Sequence, residues 1–247
     1  MRGRSIGAMV DVPHPVIGLT VELLDAPWYE GKRRFQLFTD YLPCLRAAGA
    51  IPILLPSDAP IEEVAPLLDR VDGVLMTGGD DVDLRPFGGP APTVECKPVP
   101  LEQQAMNLEI VRVAVERGLP LFGVCFGMQM MGVLDEAPFR QHLENAEEHT
   151  KGIEHAVVAS EGSRLADLVG TEAFAVPSFH HQALVGTGRN LQASGYAEDG
   201  TLEAVELPDL PFALGVQWHP ERAPESPATR ALFDGFVTAA RKYRMEH

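Results

Sequence analysis

Cysteine is scarce. The 247-residue chain holds three, Cys44, Cys96 and Cys125. An odd, sparse set in a chain this long excludes a disulfide framework and implies a reducing, cytoplasmic setting. Basic residues are short as well: 20 Lys and Arg against 35 Asp and Glu leave a formal charge of −15. Such a surface repels phosphate backbones and anionic lipids, which argues against nucleic acid and membranes as partners. No apolar run reaches membrane-spanning length. Arg2 and Arg4 open the chain, but Asp11, Pro13 and His14 interrupt the stretch behind them too early for a secretory segment. Internal repeats and low-complexity tracts are absent. Thr77-Gly78-Gly79 has neither the lysine of a phosphate-cradling loop nor a full dinucleotide fingerprint.

What is present is a regular alternation of short apolar runs with helical patterns. Strands are expected at Val16 to Thr20, Ile51 to Leu55, Gly73 to Met76 and Leu119 to Val124. Helices are expected at Lys32 to Ala48, around Ile61 to Leu68, and at Leu101 to Arg117, the last stopped by Gly118 and Pro120. Phe35, Phe38, Tyr41, Leu42 and Leu45 form the apolar side of the first helix; Leu101, Ala105, Leu108, Val111 and Val115 form that of the third. Strands joined by helical crossovers predict an α/β fold, a doubly wound and mostly parallel central sheet with helices on both faces and its sites at the carboxyl ends of the strands. The second half carries shorter segments, at His155 to Val158, Glu172 to Val176, Leu191 to Tyr196, Leu202 to Glu206 and Phe212 to Gln217, read as additional strands, some antiparallel. A final helix, Ala228 to Tyr243, turns Leu232, Phe233, Phe236, Val237 and Ala240 to the sheet. With no linker-like shift in composition, residues 1–247 read as one domain, residues 1–14 being an N-terminal extension. The Pro- and Gly-rich stretch from Asp80 to Pro100 is the longest expected loop.

The strongest local signal is Gly123-Val124-Cys125-Phe126-Gly127, with the glycine spacing of a nucleophile elbow and cysteine in the nucleophile's place. The turn from strand to helix is tight, so side chains two residues to either side would collide. Cys125 would sit at a helix N-terminus, where unpaired N–H groups favour the thiolate. Cys44 and Cys96 lack this spacing. A cysteine nucleophile needs a base, and the base an orienting acceptor. Among eight histidines, His219 has the best context, in Gly215-Val216-Gln217-Trp218-His219-Pro220-Glu221. An extended backbone there would send His219 and Glu221 to the same side.

The runs Val124 to Gln129 and Gln217 to Glu221 together resemble the class I glutamine amidotransferase superfamily. Thr77 to Val82 with Pro86-Phe87-Gly88, Ser178-Phe179-His180-His181-Gln182, and Asp199 to Glu206 resemble its γ-glutamyl hydrolase branch, whose activities include cleavage of γ-glutamyl-γ-aminobutyrate in polyamine breakdown. The resemblance runs from Pro15 to about Phe236 and implies a flavodoxin-like fold. By the same resemblance Cys125 is the nucleophile, His219 the base and then acid, and Glu221 the orienter. The N–H groups of Phe126 and Gly79 form the oxyanion hole, and Gly78, Gln129, Ser178 and His180 line the glutamyl pocket. The implied reaction is hydrolysis of a γ-glutamyl amide through a thioester. It needs no cofactor and takes a small γ-glutamyl molecule as its partner, with self-association into a homo-oligomer left open. The alternatives are a glutaminase subunit feeding ammonia to a synthase and a non-catalytic binding protein that kept the fold.

Some positions depart from the branch. Phe126 stands where arginine is common, Glu136-Ala137 replace a glycine pair, Pro177 replaces an asparagine, and Asn145 to Glu154 is short. These bear on substrate identity rather than on the triad. His142, His149 and His155 do not read as a metal site, because no cysteine or carboxylate accompanies them at zinc-like spacing. Asp80, Asp81 and Asp83 read as a solvated loop.

Overall fold

The computed structural model describes residues 14–247. The expected N-terminal extension therefore lies outside the described residues except for His14, whose ring bonds the Gly49 carbonyl at 2.7 Å.

In chain order the elements are β1 (Val16–Leu19), β2 (Glu22–Asp25), β3 (Arg33–Gln36), α1 (Tyr41–Ala47), β4 (Ile51–Leu54), α2 (Ile61–Leu68), β5 (Gly73–Met76), α3 (Leu101–Arg117), β6 (Leu121–Val124), α4 (Phe126–Leu134), β7 (Phe139–Arg140), β8 (Ile153–Ala159), α5 (Arg164–Val169), β9 (Phe174–Ser178), β10 (Ala183–Leu184), β11 (Gln192–Ala197), β12 (Leu202–Glu206), β13 (Ala213–Val216) and α6 (Pro227–Glu246). Nine strands form one sheet in the order β4-β1-β5-β6-β13-β12-β11-β8-β9. Pairing is parallel from β4 through β13 and antiparallel from there to β9. The doubly wound, mostly parallel reading of the first half and the antiparallel reading of the second both hold.

Two cores cover the faces. On one, Val64, Leu68, Met106, Ile110, Met128 and Met131 from α2, α3 and α4 pack on Val74, Met76 and Leu121. On the other, Leu45, Leu165, Leu232, Phe233 and Phe236 from α1, α5 and α6 pack on Ile17, Leu75, Phe122 and Val124. The central strands β5 and β6 are buried on both faces, as a crossover-covered parallel sheet requires. Phe122 meets the rings of Phe212 and Phe233 edge-on, contacts worth about 0.5–1.5 kcal/mol each beyond area burial.

Three expectations need correction. The helix expected from Lys32 begins only at Tyr41; Arg33 to Gln36 is instead a strand paired antiparallel with β2, Asp25 opposite Arg33 and Leu23 opposite Phe35. Phe35 and Phe38 are exposed, so the apparent helical stripe joined a solvent-facing hairpin to a true helix. In α3 the buried face is rotated: Leu101 is exposed while Gln103, Gln104 and Asn107 are buried. The two glutamines go inside because they serve the backbone, Gln103 Oε1 accepting from Leu23 N–H and Gln104 bonding both N–H and C=O of Asp83. Asp83, read as solvated, is likewise buried, against Arg85.

Glu136, where the resemblance leads one to expect glycine, follows the end of α4 with φ of +60°. That is the left-handed conformation in which helices are commonly terminated by glycine. A side chain there costs about 1–2 kcal/mol, and the exposed ion pair with Arg189 returns little. Glu136→Gly should therefore raise stability by up to about 1 kcal/mol after the loss of backbone entropy; denaturant titration measures it, and destabilisation would show that the Arg189 pair matters more.

Candidate active site

Cys125 lies between β6 and α4 with φ 49° and ψ −103°, a strained backbone for a residue with a side chain. The neighbouring glycines explain how the turn closes. A Cβ on Gly123 would lie 2.8 Å from backbone atoms of Gly127 and Met128, and one on Gly127 would lie 2.4 Å from the Met76 carbonyl oxygen. Either would force the strand and helix apart. Cys125 N–H donates to the Val216 carbonyl at 2.7 Å, which ties the elbow to the end of β13, and the chain after β13 carries Gln217, His219 and Glu221.

His219 and Glu221 flank Pro220, which starts a 3-10 turn where an extended link was expected. The locked ring of proline suits the first position of such a turn. The turn still brings the two side chains together: His219 Nδ1–H donates to Glu221 Oε1 at 2.7 Å. This fixes the tautomer and leaves Nε2 free to face the sulfur. Burial pulls the imidazole pKa down. The charges of Glu221 and Cys125, with hydrogen bonds to both, outweigh that and push it up to about 10. An imidazolium at neutral pH beside a thiol at a helix N-terminus is an arrangement that can hold a thiolate. Gln217 Nε2 adds a donor 3.4 Å from Cys125 Sγ.

Access is narrow. Cys125 keeps 5% of its surface open and the His219 side chain 13%, so approach is from the His219 side, where Phe179 meets the imidazole edge-on at 5.5 Å. Arg222 lies over Phe38 and Phe179 at this rim. Gly78 packs against the imidazole so closely that a Cβ there would be 2.5 Å from His219 Cε1. A Cβ on Gly79 would be 3.7 Å from Phe126 Cγ, which puts these two residues side by side. The N–H of Phe126 is in the first turn of α4, where a helix supplies no partner.

The remaining expected residues have protein partners. Gln129 Nε2 donates to the Gln182 carbonyl at 3.1 Å and to Gln217 Oε1 at 3.3 Å. Ser178 donates to the His149 carbonyl at 2.8 Å, and His180 sits 3.3 Å from Glu203. All three are buried. Sequence reasoning missed three others. Tyr41, read as helix core, accepts from Gly78 N–H at 3.0 Å and lies beside Glu221; burial first, and then that carboxylate, drive its pKa well up. Glu22 bonds Asp80 N–H at 2.9 Å next to Gly79, with burial raising its pKa. Gln217 stood inside a quoted motif and could have been read there; Tyr41 and Glu22 give no local signal.

Residues 15–221 match the peptidase C26 family. The chain is similar to the Mycobacterium tuberculosis protein Rv2859c, whose name places it provisionally among glutamine amidotransferases, at 34% identity over 93% of this chain and 76% of that one. It is similar to the γ-glutamyl-γ-aminobutyrate hydrolase PuuD of Escherichia coli at 31% identity over 94% and 96%. Among solved structures, the glutaminase domain of Trypanosoma brucei CTPS with bound acivicin superposes with a TM-score of 0.65 at 18% identity, covering 92% of this chain and 94% of that one, a likeness of fold.

The electrostatics of the site can be measured directly. In NMR titrations the His219 ring should hold its proton through neutrality and lose it near pH 10, and Glu221→Gln should move that midpoint down by removing the charge that supports the imidazolium. A His219 midpoint that does not move on this substitution would dissociate the two residues.

Proposed function

The chain belongs to the peptidase C26 family, and from that premise we propose that it hydrolyses a γ-glutamyl amide, γ-glutamyl-γ-aminobutyrate or a related γ-glutamyl amine, through a thioester on Cys125. The observation that carries the reading is the strained Cys125 at the start of α4, beside an imidazole held by Glu221 at 2.7 Å.

The thiolate attacks the γ-carbonyl carbon and forms the C–S bond, and the carbonyl oxygen takes the negative charge. Phe126 N–H and Gly79 N–H receive that oxyanion; such donors supply about 3 kcal/mol each to the transition state. The C–N bond breaks as His219 Nε2 gives its proton to the leaving amine. Water then attacks the thioester, its proton passes to His219, the thiolate leaves, and glutamate is released. Gly78 keeps the wall beside the imidazole thin enough for substrate to reach the sulfur. Gln129, Ser178 and His180, engaged with other side chains and carbonyls, act as supports of the pocket wall. The name of Rv2859c favours a second reading, glutamine as the substrate with ammonia passed to a partner. Among the described residues no helix is long and apolar enough to cross a membrane.

A panel of γ-glutamyl amides that includes glutamine, assayed for released glutamate, tests the proposal. γ-Glutamyl amines should be the better substrates, and hydrolysis confined to glutamine would turn the case to the second reading. Cys125→Ala should lower turnover by roughly 10⁴-fold or more with an unchanged melting curve; retained activity would sink the nucleophile assignment. Gly78→Ala should lower kcat more than it raises KM, because the added methyl pushes the imidazole off line. The acid that protonates the leaving amine is lost as pH rises through about 10, so kcat/KM should fall on that alkaline side, and earlier in Glu221→Gln.

A further inference from the structure

Away from Cys125, the antiparallel half of the sheet buries a carboxylate among histidines. Glu203, on β12, is fully buried. Its Oε1 lies 3.4 Å from His149 Nδ1, 3.3 Å from His155 Nε2 and 3.3 Å from His180 Nε2. Charge-assisted N–H···O bonds run about 2.7–2.9 Å, so all three are long for ion pairs. Only the His180 approach has hydrogen-bond geometry. Among the described residues, His149 Nδ1, both ring nitrogens of His155 and Glu203 Oε2 are buried without a hydrogen-bond partner. The ligand atoms of His149, His155 and Glu203 all lie within 4.8 Å of one another.

These separations have a chemical meaning. Nitrogen and oxygen ligands about 2.0–2.2 Å from a tetrahedral zinc stand about 3.3–3.5 Å from each other, which is the spacing from Glu203 Oε1 to the two ring nitrogens. One tautomer of His149 suits it: with Nε2–H donating to Asp199 Oδ2 at 2.7 Å, and Thr201 Oγ1 at 3.3 Å, the Nδ1 lone pair is turned to Glu203. A carboxylate behind a ligating histidine is the usual supporting arrangement at metal sites. The His149 carbonyl accepts from Ser178 Oγ–H and His180 N–H, both at 2.8 Å, and this holds the ring in place. One dication would balance two neutral rings, Glu203 and Asp199. A cleft of about 530 Å³ opens beside the cluster, and Glu148, Glu154 and Glu198 join Asp199 in its wall, an acidic approach for a cation.

We propose that His149 Nδ1, His155 Nε2 and the Glu203 carboxylate bind a zinc-class divalent cation, with Asp199 and His180 as positioning residues and the fourth coordination place open to water from the cleft. The ion ties the turn before β8 to β8 and β12. It takes no part in the chemistry at Cys125. The carboxylate that was missing from the histidines' sequence neighbourhood is delivered by β12.

The test uses the full chain stripped with EDTA, titrated with ZnCl₂ by calorimetry and with Co²⁺ by visible absorption. One equivalent should bind in the low-micromolar range or tighter, raise the melting temperature and give the intense d–d bands of a tetrahedral Co²⁺ site. His155→Gln should weaken zinc by about 100-fold or more, and Asp199→Asn, a milder change at the exposed end, by about 10-fold. Cys125→Ala and His142→Gln should bind like the parent. Absence of stoichiometric binding, unchanged affinity in both His155→Gln and Asp199→Asn, or loss of binding in Cys125→Ala would overturn the proposal. The readouts are binding and melting, so they are independent of any result with γ-glutamyl amides.

Discussion

A cysteine held at φ 49° and ψ −103° costs about 1–3 kcal/mol, and the site depends on the packing that enforces it. Gly123 against Gly127, and Gly127 against the Met76 carbonyl, bring β6, α4 and β5 closer than side chains would permit. The bond from Cys125 N–H to the Val216 carbonyl closes the remaining side. None of these contacts can relax alone, because β5, β6 and β13 are adjacent in the buried centre of the sheet. The strain is thus borne by the most tightly buried part of the molecule, where it aims the sulfur beyond the strand ends.

The change from parallel to antiparallel pairing at β13 gives the site its second half. The chain leaves β13 beside the elbow and turns at once through Pro220, so that His219 and Glu221 reach the sulfur from a neighbouring strand. Buried amides join the two halves: Gln129 of α4 bonds Gln182 and Gln217, and Gln217 reaches Cys125 Sγ. An unpaired buried amide costs about 1–3 kcal/mol. Displacing any member therefore exposes the next, which makes the network a positional constraint on Cys125.

Much of this was legible in sequence, for reasons that differ by element. Crossover-covered strands are apolar on both faces, so Gly73 to Met76 and the run before Cys125 stand out, and steric demands made the elbow readable from its glycines. The hairpin at Arg33 to Gln36 was not readable, because its apolar residues point to solvent and happen to continue the stripe of α1. The α3 face was misread because periodicity counts apolar residues, while Gln103 and Gln104 are buried to satisfy backbone groups of distant loops. Tyr41 and Glu22 are brought to the site by tertiary structure alone. The same blindness applied to the histidines: spacing along the chain said nothing of Glu203, which reaches them across the sheet.

Two glutamates in this region, Glu221 and Glu203, are buried beside histidines, and their geometries separate two kinds of stabilisation. Glu221 has one imidazole at 2.7 Å, the length of a charged pair sharing a proton, and that contact raises the ring's pKa. Glu203 has three imidazole nitrogens at 3.3–3.4 Å. Burial opposes its charge, and the surrounding rings still draw its pKa well below the usual carboxylate range, so it is the anionic form that the shell is built around. An anion in the interior costs several kcal/mol unless it is closely compensated. At Glu221 the compensation is a proton moving between neighbours, which is what acid–base chemistry requires. At Glu203 the partners stand back by half an ångström or more, and a second carboxylate, Asp199, holds one ring from behind. Spacings of that size match the edge of a metal's coordination polyhedron, so the two glutamates serve different ends: one faces a single ring for proton exchange, the other gathers several rings around a place for a cation.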